Sequence, residues 1–340
     1  MQTNPRILIL RLSSIGDIIL TSAFIRQVKS RYENAEIDFV VKEQYLDLVK
    51  NNPNLKNIFT LALSGTVNDL NNLRKTIEKN SYDYIFDLHN NLRTRALLKN
   101  FKENKISRIK KNKIKRAILV EFKINLYKEI VPIPQRYLNT GKKFDVKDDK
   151  KGLELFFDKT TENFFNQNIL PKLSNNNFIA VAPGASFYTK QWPAEYFKEW
   201  IEIFLEQRQE YLLLLGGPDE AEEFDSLVIS KRVINLVGKL KLLESAYVIK
   251  KAKALLSNDS GLMHMATAVQ TPVTAIFGST VEELGFAPYR SKNIIIQNQS
   301  LWCRPCSHVG KNKCPLSHFK CMKDISPEQV YNGFFTLINT

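Results

Sequence analysis

"ILILRLSSIGDIILTSAFI", residues 7–25, sets the reading of the whole chain. Four apolar residues, Ile7 to Leu10, make a run of strand length, too short for a helix. The run stops at Arg11. Ser13, Ser14, Gly16 and Asp17 follow, and apolar residues resume at helical spacing with Ile15, Ile18, Ile19 and Ile25 on one face. Strand, tight turn and helix in that order open a parallel α/β unit. Ser and Asp cap helix N-termini and Gly permits a tight turn, so capping alone accounts for the turn. The same turn lies where open parallel sheets bind ligands, beyond the carboxyl end of a strand, which makes 11–17 a place to look for a ligand contact. Both readings stand at this point.

Outward from this stretch the alternation continues. Residues 37–41, 58–61 and 84–88 read as further buried strands, and Leu70, Leu73 and Ile77 mark a helix face. From residue 178 the pattern restarts, with strands predicted at 178–182, 211–215, 254–257 and 273–277. Helices are predicted near 194–208, 220–229, 243–251 and 261–269. The polar stretch "NQNILPKLSNNN", residues 166–177, reads as a linker. The expected organisation is an N-terminal Rossmann-like domain over 1–166 and a C-terminal one over 167–325. A chain of 340 residues, 44% hydrophobic, is ample for two such cores.

Composition narrows the function classes. No run of 18 apolar residues is present, so no membrane-spanning helix is expected, and Arg11 and Asp17 break up any signal-peptide core. Four cysteines, none before Cys303, do not make a secreted disulfide framework. A cytoplasmic location follows as the expectation. Lys+Arg 49 against Asp+Glu 35 gives a net charge of +14, which suits nucleic acid, an anionic membrane surface or a phosphorylated substrate. Nucleic acid is disfavoured because no helix-turn-helix, zinc-finger or RRM signature is present. The absence of G-x-G-x-x-G and of G-K-[ST] removes the dinucleotide fingerprint and the nucleotide triphosphatase loop.

Three turns of the second half carry candidate chemistry. "VAPGASFYTKQWP" offers Gly184, Ser186 and Lys190; "LLLLGGPDEAEE" offers Asp219 and Glu220; "LLSNDSGLMHMATAV" offers Asp259, Ser260, Gly261 and His264. Small residues at a helix N-terminus expose amide donors at the positive end of the dipole, which suits a phosphate. Lys190 would add a mobile positive charge. Each turn is also explained by capping, and His264 by packing. Together, on consecutive turns of one unit, they point to a diphosphate-containing ligand.

The stretches "RLSSIGDIILTSAFIRQVK", "IFDLHNNLRTRALLK", "APGASFYTKQWP", "LLGGPDEAEE" and "NDSGLMHMATAVQTPVTAIFGST" resemble, in order and over nearly the whole chain, the ADP-heptose:lipopolysaccharide heptosyltransferases of glycosyltransferase family 9. Residues 100–165 match least. The resemblance implies an α/β chain of GT-B architecture: two Rossmann-like, doubly wound domains facing across a cleft, with the C-terminal helix, 326–340, packing back on the first. It implies inverting transfer of a heptose from ADP-heptose to the lipopolysaccharide inner core, with no cofactor and no catalytic metal. Asp17 matches the general base. Lys190, Ser260 and Gly261 match the diphosphate contacts. Ser186, Asp259 and His264 match the donor side, and Glu220, with Asp219 as competitor, a ribose contact. Ser260 and Ala185 stand where relatives often carry threonine, which bears on the donor sugar. The alternatives are a family 9 enzyme with another nucleotide sugar or acceptor, and a non-catalytic nucleotide-binding protein of the same fold.

On the acceptor side the resemblance implies Ser14, Gly16, His89 and Arg93. An acceptor bearing lipid phosphates and acidic sugars would pair with Arg93, whose guanidinium binds such anions bidentately. Residues 99–123 hold ten basic and two acidic residues. Ile114, Ile118, Leu119 and Phe122 share one helix face there, opposite Lys113, Lys115 and Arg116. This pattern fits either a peripheral contact with an anionic inner membrane or core packing beneath a solvated basic face. Cys303, Cys306, Cys314 and Cys321 are spaced C-x2-C-x7-C-x6-C, open to structural zinc, packed thiols or disulfides.

Overall fold

The computed structural model describes residues 4–175 and 177–339. Its chain divides into two compact units: the segment up to Lys111 with Pro132–Phe156, and Asn112–Val131 with the segment from Phe157 onward. The first unit is built on β1 (Arg6–Leu10), β2 (Glu36–Lys42), β3 (Asn57–Leu61), β4 (Tyr84–Asp87) and β5 (Ile106–Arg108), in the order β3-β2-β1-β4-β5. The second holds β6 (Phe178–Ala182), β7 (Tyr211–Leu214), β8 (Val233–Asn235), β9 (Leu255–Asn258), β10 (Val273–Phe277) and β11 (Asn293–Gln297), in the order β11-β10-β9-β6-β7-β8. All pairings are parallel. Counted within its own unit, each sheet runs 3-2-1-4-5, with a sixth strand in the second. This is the doubly wound order, and its switch points lie between β1 and β4 and between β6 and β9. Among the described residues no helix is long and apolar enough to cross a membrane.

Continuous burial explains the strands. Ile7 to Leu10 and Phe178 to Ala182 are covered on both faces, so every position is apolar and none alternates with a polar one. The register sets Leu10 opposite Asp87 and Ala182 opposite Ser257. The turns after these strands therefore start level with one another.

Several expectations are corrected. The first predicted helix is two, α1 (Ile15–Ile19) and α2 (Ser22–Arg31). The Thr21 hydroxyl donates to the Ile18 carbonyl at 2.6 Å, competing with continuation of the helix. Helices α3 (Val67–Glu78), α4 (Leu92–Leu97), α5 (Lys113–Phe122) and α6 (Ile133–Gly141) follow. The linker expected at 166–177 is largely helical: α7 (Lys159–Phe164) runs on through Phe165–Ile169 and Leu170–Lys172. Phe165 and Ile169 are buried, and Phe165 packs on Tyr247. The polar composition hid two anchors, and the boundary between units falls at Phe156 rather than at 166. Asn176, part of that stretch, lies outside the described residues.

In the second unit α8 (Ala194–Gln207), α9 (Leu242–Lys251) and α10 (Gly261–Ala268) follow expectation closely. Segment 220–229 does not form an α-helix. It makes 3-10 turns at Pro218–Glu220 and Asp225–Leu227, anchored only by Phe224 and Leu227 at a spacing of three and crowded with carboxylates. After α11 (Lys320–Lys323), the C-terminal helix α12 (Pro327–Asn339) packs on α8, β10 and β11 of its own unit. Val330, Tyr331, Phe334 and Leu337 are buried there, and the Phe334 ring meets Trp200 edge-on at 5.3 Å. Each such side chain stabilises the contact by about 1.5–3 kcal/mol. Helix α5 also belongs to this second unit. Leu119 faces inward, whereas Ile114 and Phe122 are exposed, so the expected single apolar face is split between core and water.

Candidate active site

In the first unit the turn after β1 is pinned by Arg11. Its guanidinium donates to the carbonyls of Ser13 (2.8 Å) and Leu88 (2.7 Å) and pairs with Asp17 Oδ1 at 2.7 Å. The Ser14 amide (3.3 Å) and hydroxyl (3.1 Å) both donate to Asp17 Oδ2. Asp17 thus closes a capping interaction at the head of α1, and its carboxylate is held in one orientation at the switch point. The capping account and the reactive-carboxylate account describe one geometry. Gly16 is buried in the first turn of α1, letting the helix start against the sheet.

From the neighbouring β4, Asp87 is fully buried. It accepts from the amides of His89 (3.1 Å) and Asn90 (2.7 Å) and from the Thr94 hydroxyl (3.0 Å). Burial pushes the Asp87 carboxyl up; its task is to shape the loop that carries His89. Burial, then the charges of Arg11 and Lys111, push the His89 imidazole down to about 3, so the ring is neutral at physiological pH. Its buried Nδ1 has no hydrogen-bond partner among the described residues. Arg93 is exposed on α4.

The second unit mirrors this arrangement with the opposite charge outward. Lys190 Nζ pairs with Asp259 Oδ2 at 2.8 Å, and the Thr280 hydroxyl donates to the same oxygen at 2.7 Å. Asp259 precedes Ser260, the N-cap of α10, with Gly261 at its first position. Ser260 and Gly261 are partly exposed, while His264, one turn in, is buried. Ser260 Oγ lies 3.1 Å from Ser257 Oγ. An ammonium beside free amides at a helix N-terminus is an anion-binding arrangement. Ser186 is exposed on the loop between β6 and Lys190.

Glu220 is brought to the same end of the sheet. Its Oε2 accepts from the Gly217 amide at 2.9 Å. A Cβ at Gly184 would overlap its carboxylate, and one at Gly216 would stand 2.7 Å from Oε2. Only glycine leaves room for a carboxylate against both strand ends. Burial raises the Glu220 carboxyl above its ordinary value. Asp219 is exposed.

Sequence reasoning missed Arg11, Thr280, Thr189 and Arg304. Thr189 is buried. Its amide donates to the Lys311 carbonyl (3.0 Å), its hydroxyl accepts from the Lys311 amide (2.8 Å), and its carbonyl accepts from the Ser279 amide (3.2 Å). Gly310, at φ +118°, approaches Phe187 so closely that a Cβ would stand 2.5 Å from it. The loop carrying Lys190 is therefore strapped to the cysteine-rich segment. Arg304 anchors that segment by donating to the carbonyls of Gly278 (2.5 Å) and Thr280 (2.7 Å). No motif announces backbone-to-backbone straps of this kind.

The four cysteines carry free thiols, with no disulfide. They line one cavity of about 190 Å³ together with Thr189, Arg304 and His318. Among the described residues no three His, Cys, Asp or Glu side chains are grouped as a metal site, so of the readings the spacing left open the structure shows no zinc set. Burial raises Cys306 and pushes Cys321 up to about 12, which keeps both as neutral, unreactive thiols.

The family model for glycosyltransferase family 9 (heptosyltransferase) matches residues 70–316, well over half of the chain. Lipooligosaccharide heptosyltransferase 2 of Campylobacter jejuni is 27% identical over 324 residues, covering 93% of each chain. The crystal structure of a family 9 glycosyl transferase from Veillonella parvula superposes with a TM-score of 0.80 at 20% identity, over 100% of this chain and 98% of that one. The Escherichia coli ADP-heptose lps heptosyltransferase II superposes with a TM-score of 0.75 at 20% identity, over 98% of each. Two parallel Rossmann-like units, the GT-B fold, and a match spanning the turns that carry Lys190, Glu220 and Asp259 agree: the chain belongs to glycosyltransferase family 9, the heptosyltransferases, and is a glycosyltransferase.

Proposed function

We propose that the enzyme transfers a heptose from ADP-heptose to the inner core of lipopolysaccharide, with inversion at the anomeric carbon. The observation that carries this reading is the Lys190–Asp259 pair at the head of α10. The acceptor hydroxyl attacks the anomeric carbon from the side opposite the diphosphate, and its proton passes to Asp17. The bond from carbon to diphosphate oxygen breaks as the new one forms. The charge that develops on the departing ADP falls on Lys190 and on the Ser260 and Gly261 amides, donors already in place before reaction. Glu220, seated between Gly184 and Gly216, accepts from the ribose hydroxyls; Ser186, Asp259 and His264 complete the donor side. Ser14, Gly16, His89 and Arg93 meet the acceptor, a lipid-linked acidic glycan at the cytoplasmic face of the inner membrane. The names of the Campylobacter and Escherichia relatives support the heptose and the lipid-linked acceptor.

The test is a titration of ADP, UDP and GDP against the pure protein, with the product anomer read by NMR. The reading expects a preference for ADP and an inverted linkage. Equal affinity for the three nucleotides, or a retained configuration, would overturn it. A second reading, a family 9 enzyme with another nucleotide sugar, is favoured by Ala185. That residue is buried and lacks a hydroxyl to offer the donor. Preference for UDP or GDP would select it.

A further inference from the structure

Helix α5 and the segment after it leave large apolar side chains in water. Ile114 is 77% and Phe122 71% exposed, and Lys123 Nζ fastens this stretch to the cysteine-rich segment through the Pro305 carbonyl at 2.8 Å. The cavity that holds the four thiols is lined from one side by Val120 and Lys123 and from the other by Trp302 and Leu316. Trp302 is 74% exposed. Indole rings in so open a place favour a boundary that is apolar on one side and wet on the other.

The charge around these residues names the partner. Residues 302–323 contain no Asp or Glu, while Lys311, Lys313 and Lys320 are exposed. On α5, Lys113 and Lys115 are exposed together with its one carboxylate, Glu121, which lines the same cavity, so the cations remain in excess. A second copy of this surface would set cations against cations; an anionic lipid surface would pair them. We infer that α5 and the loop 302–316 of the second unit form one membrane-docking surface, with Trp302, Phe122 and Ile114 entering the headgroup layer and the lysines meeting lipid phosphates. The inference rests on the lipid-linked acceptor proposed above. It differs in placing the contact on the unit that carries Lys190 and in giving Trp302 the central role.

Trp302 is its own reporter, because Trp192 and Trp200, the other two tryptophans, are 1% and 0% exposed. The full chain is mixed with phosphatidylcholine vesicles containing phosphatidylglycerol, without nucleotide or acceptor. Tryptophan emission should shift to the blue, brominated lipid should quench it, and neither effect should occur with pure phosphatidylcholine or in high salt. Trp302→Ser should remove the signal and weaken sedimentation. Lys113→Gln and Lys115→Gln should each weaken it about fivefold. Unchanged emission on vesicles that sediment the protein, or no sedimentation, overturns the inference. A blue shift that grows with protein concentration in the absence of vesicles also overturns it, in favour of self-association. Trp302→Ser should turn over a soluble, delipidated acceptor at the wild-type rate. If the wild type docks on vesicles yet shows no preference for ADP, the proposed function fails and the docking surface stands.

Discussion

The two switch points of this enzyme share a topology, a location and an ion pair, yet their charges are arranged in opposite ways. In the first unit the arginine is the anchor: Arg11 is tied to two carbonyls and is 11% exposed, while Asp17 is 18% exposed. In the second unit the carboxylate is the anchor. Asp259 is held by Thr280 and is 6% exposed, while Lys190 is 16% exposed. In each pair the more buried partner is fixed to a neighbouring segment, Arg11 to the Leu88 carbonyl and Asp259 to the Thr280 hydroxyl, and the other partner is the more exposed. One scaffold thereby presents a carboxylate at one switch point and an ammonium at the other. Those are the two charges that the proposed inverting transfer would use.

The largest effect should follow from removing the outward carboxylate. Asp17→Asn keeps an acceptor for the Ser14 amide, so α1 stays capped. It removes the proton acceptor, and general-base catalysis contributes about 10²- to 10⁴-fold. Turnover should fall by that order with ADP affinity unchanged by calorimetry. Wild-type turnover in a folded variant would reduce Asp17 to its capping role and break the comparison. Lys190→Ala comes next. A hydrogen bond to a charged group is worth about 1.5–3 kcal/mol, roughly 10- to 150-fold, so both ADP affinity and turnover should fall. Affinity within twofold of wild type would remove Lys190 from the diphosphate.

Much of this comparison was legible beforehand, and what was not has physical reasons. Asp17, Lys190, Asp259 and Ser260 sit in turns after apolar runs, where periodicity breaks and the sheet topology predicts a ligand. Arg11 was visible only as the residue that ended a strand, because two of its bonds go to carbonyls, which carry no sequence signal. The strands β5, β8 and β11 were not predicted; β5 lies inside the basic stretch, where charge masks a run of three. The helical run through the expected linker and the seat of the C-terminal helix on its own unit share one physical reason for being illegible. A pattern of buried positions shows that a helix packs, but not against which sheet. Phe165 and Phe334 supply that answer only in three dimensions.

The strap on Lys190 sharpens the comparison, since from outside its helix the Asp17 backbone meets only the long 3.5 Å bond that the Tyr137 hydroxyl donates to its carbonyl, among the described residues. Thr189→Val keeps the volume but leaves the Lys311 amide without its acceptor. Donor KM should rise roughly two- to tenfold, the span up to 1.4 kcal/mol, while kcat on saturating donor moves less. Thr189→Ser should restore KM. An unaltered KM, with lowered thermal stability alone, would show that the cysteine-rich segment props the fold without steering Lys190.

The smallest effect concerns the proton balance around the Arg11–Asp17 pair. His89, on the loop shaped by Asp87, is held down to about 3 by burial and then by Arg11 and Lys111, whereas an unfolded histidine titrates near 6.5. Between these values the unfolded chain binds a proton that the folded chain refuses. Stability is therefore fully present above about pH 6.5 and is lost as pH falls, at up to about 1.4 kcal/mol per pH unit from this one group. His89→Gln keeps a polar side chain without that titration. Urea midpoints at pH 7.5 and pH 5 should converge more for the variant than for wild type, the carboxylates being common to both. An equal loss of stability in the two proteins would mean that His89 takes up its proton in the folded enzyme. The first switch point would then carry an added positive charge beside Asp17 at low pH, and turnover would have to be read as a titration of that pair.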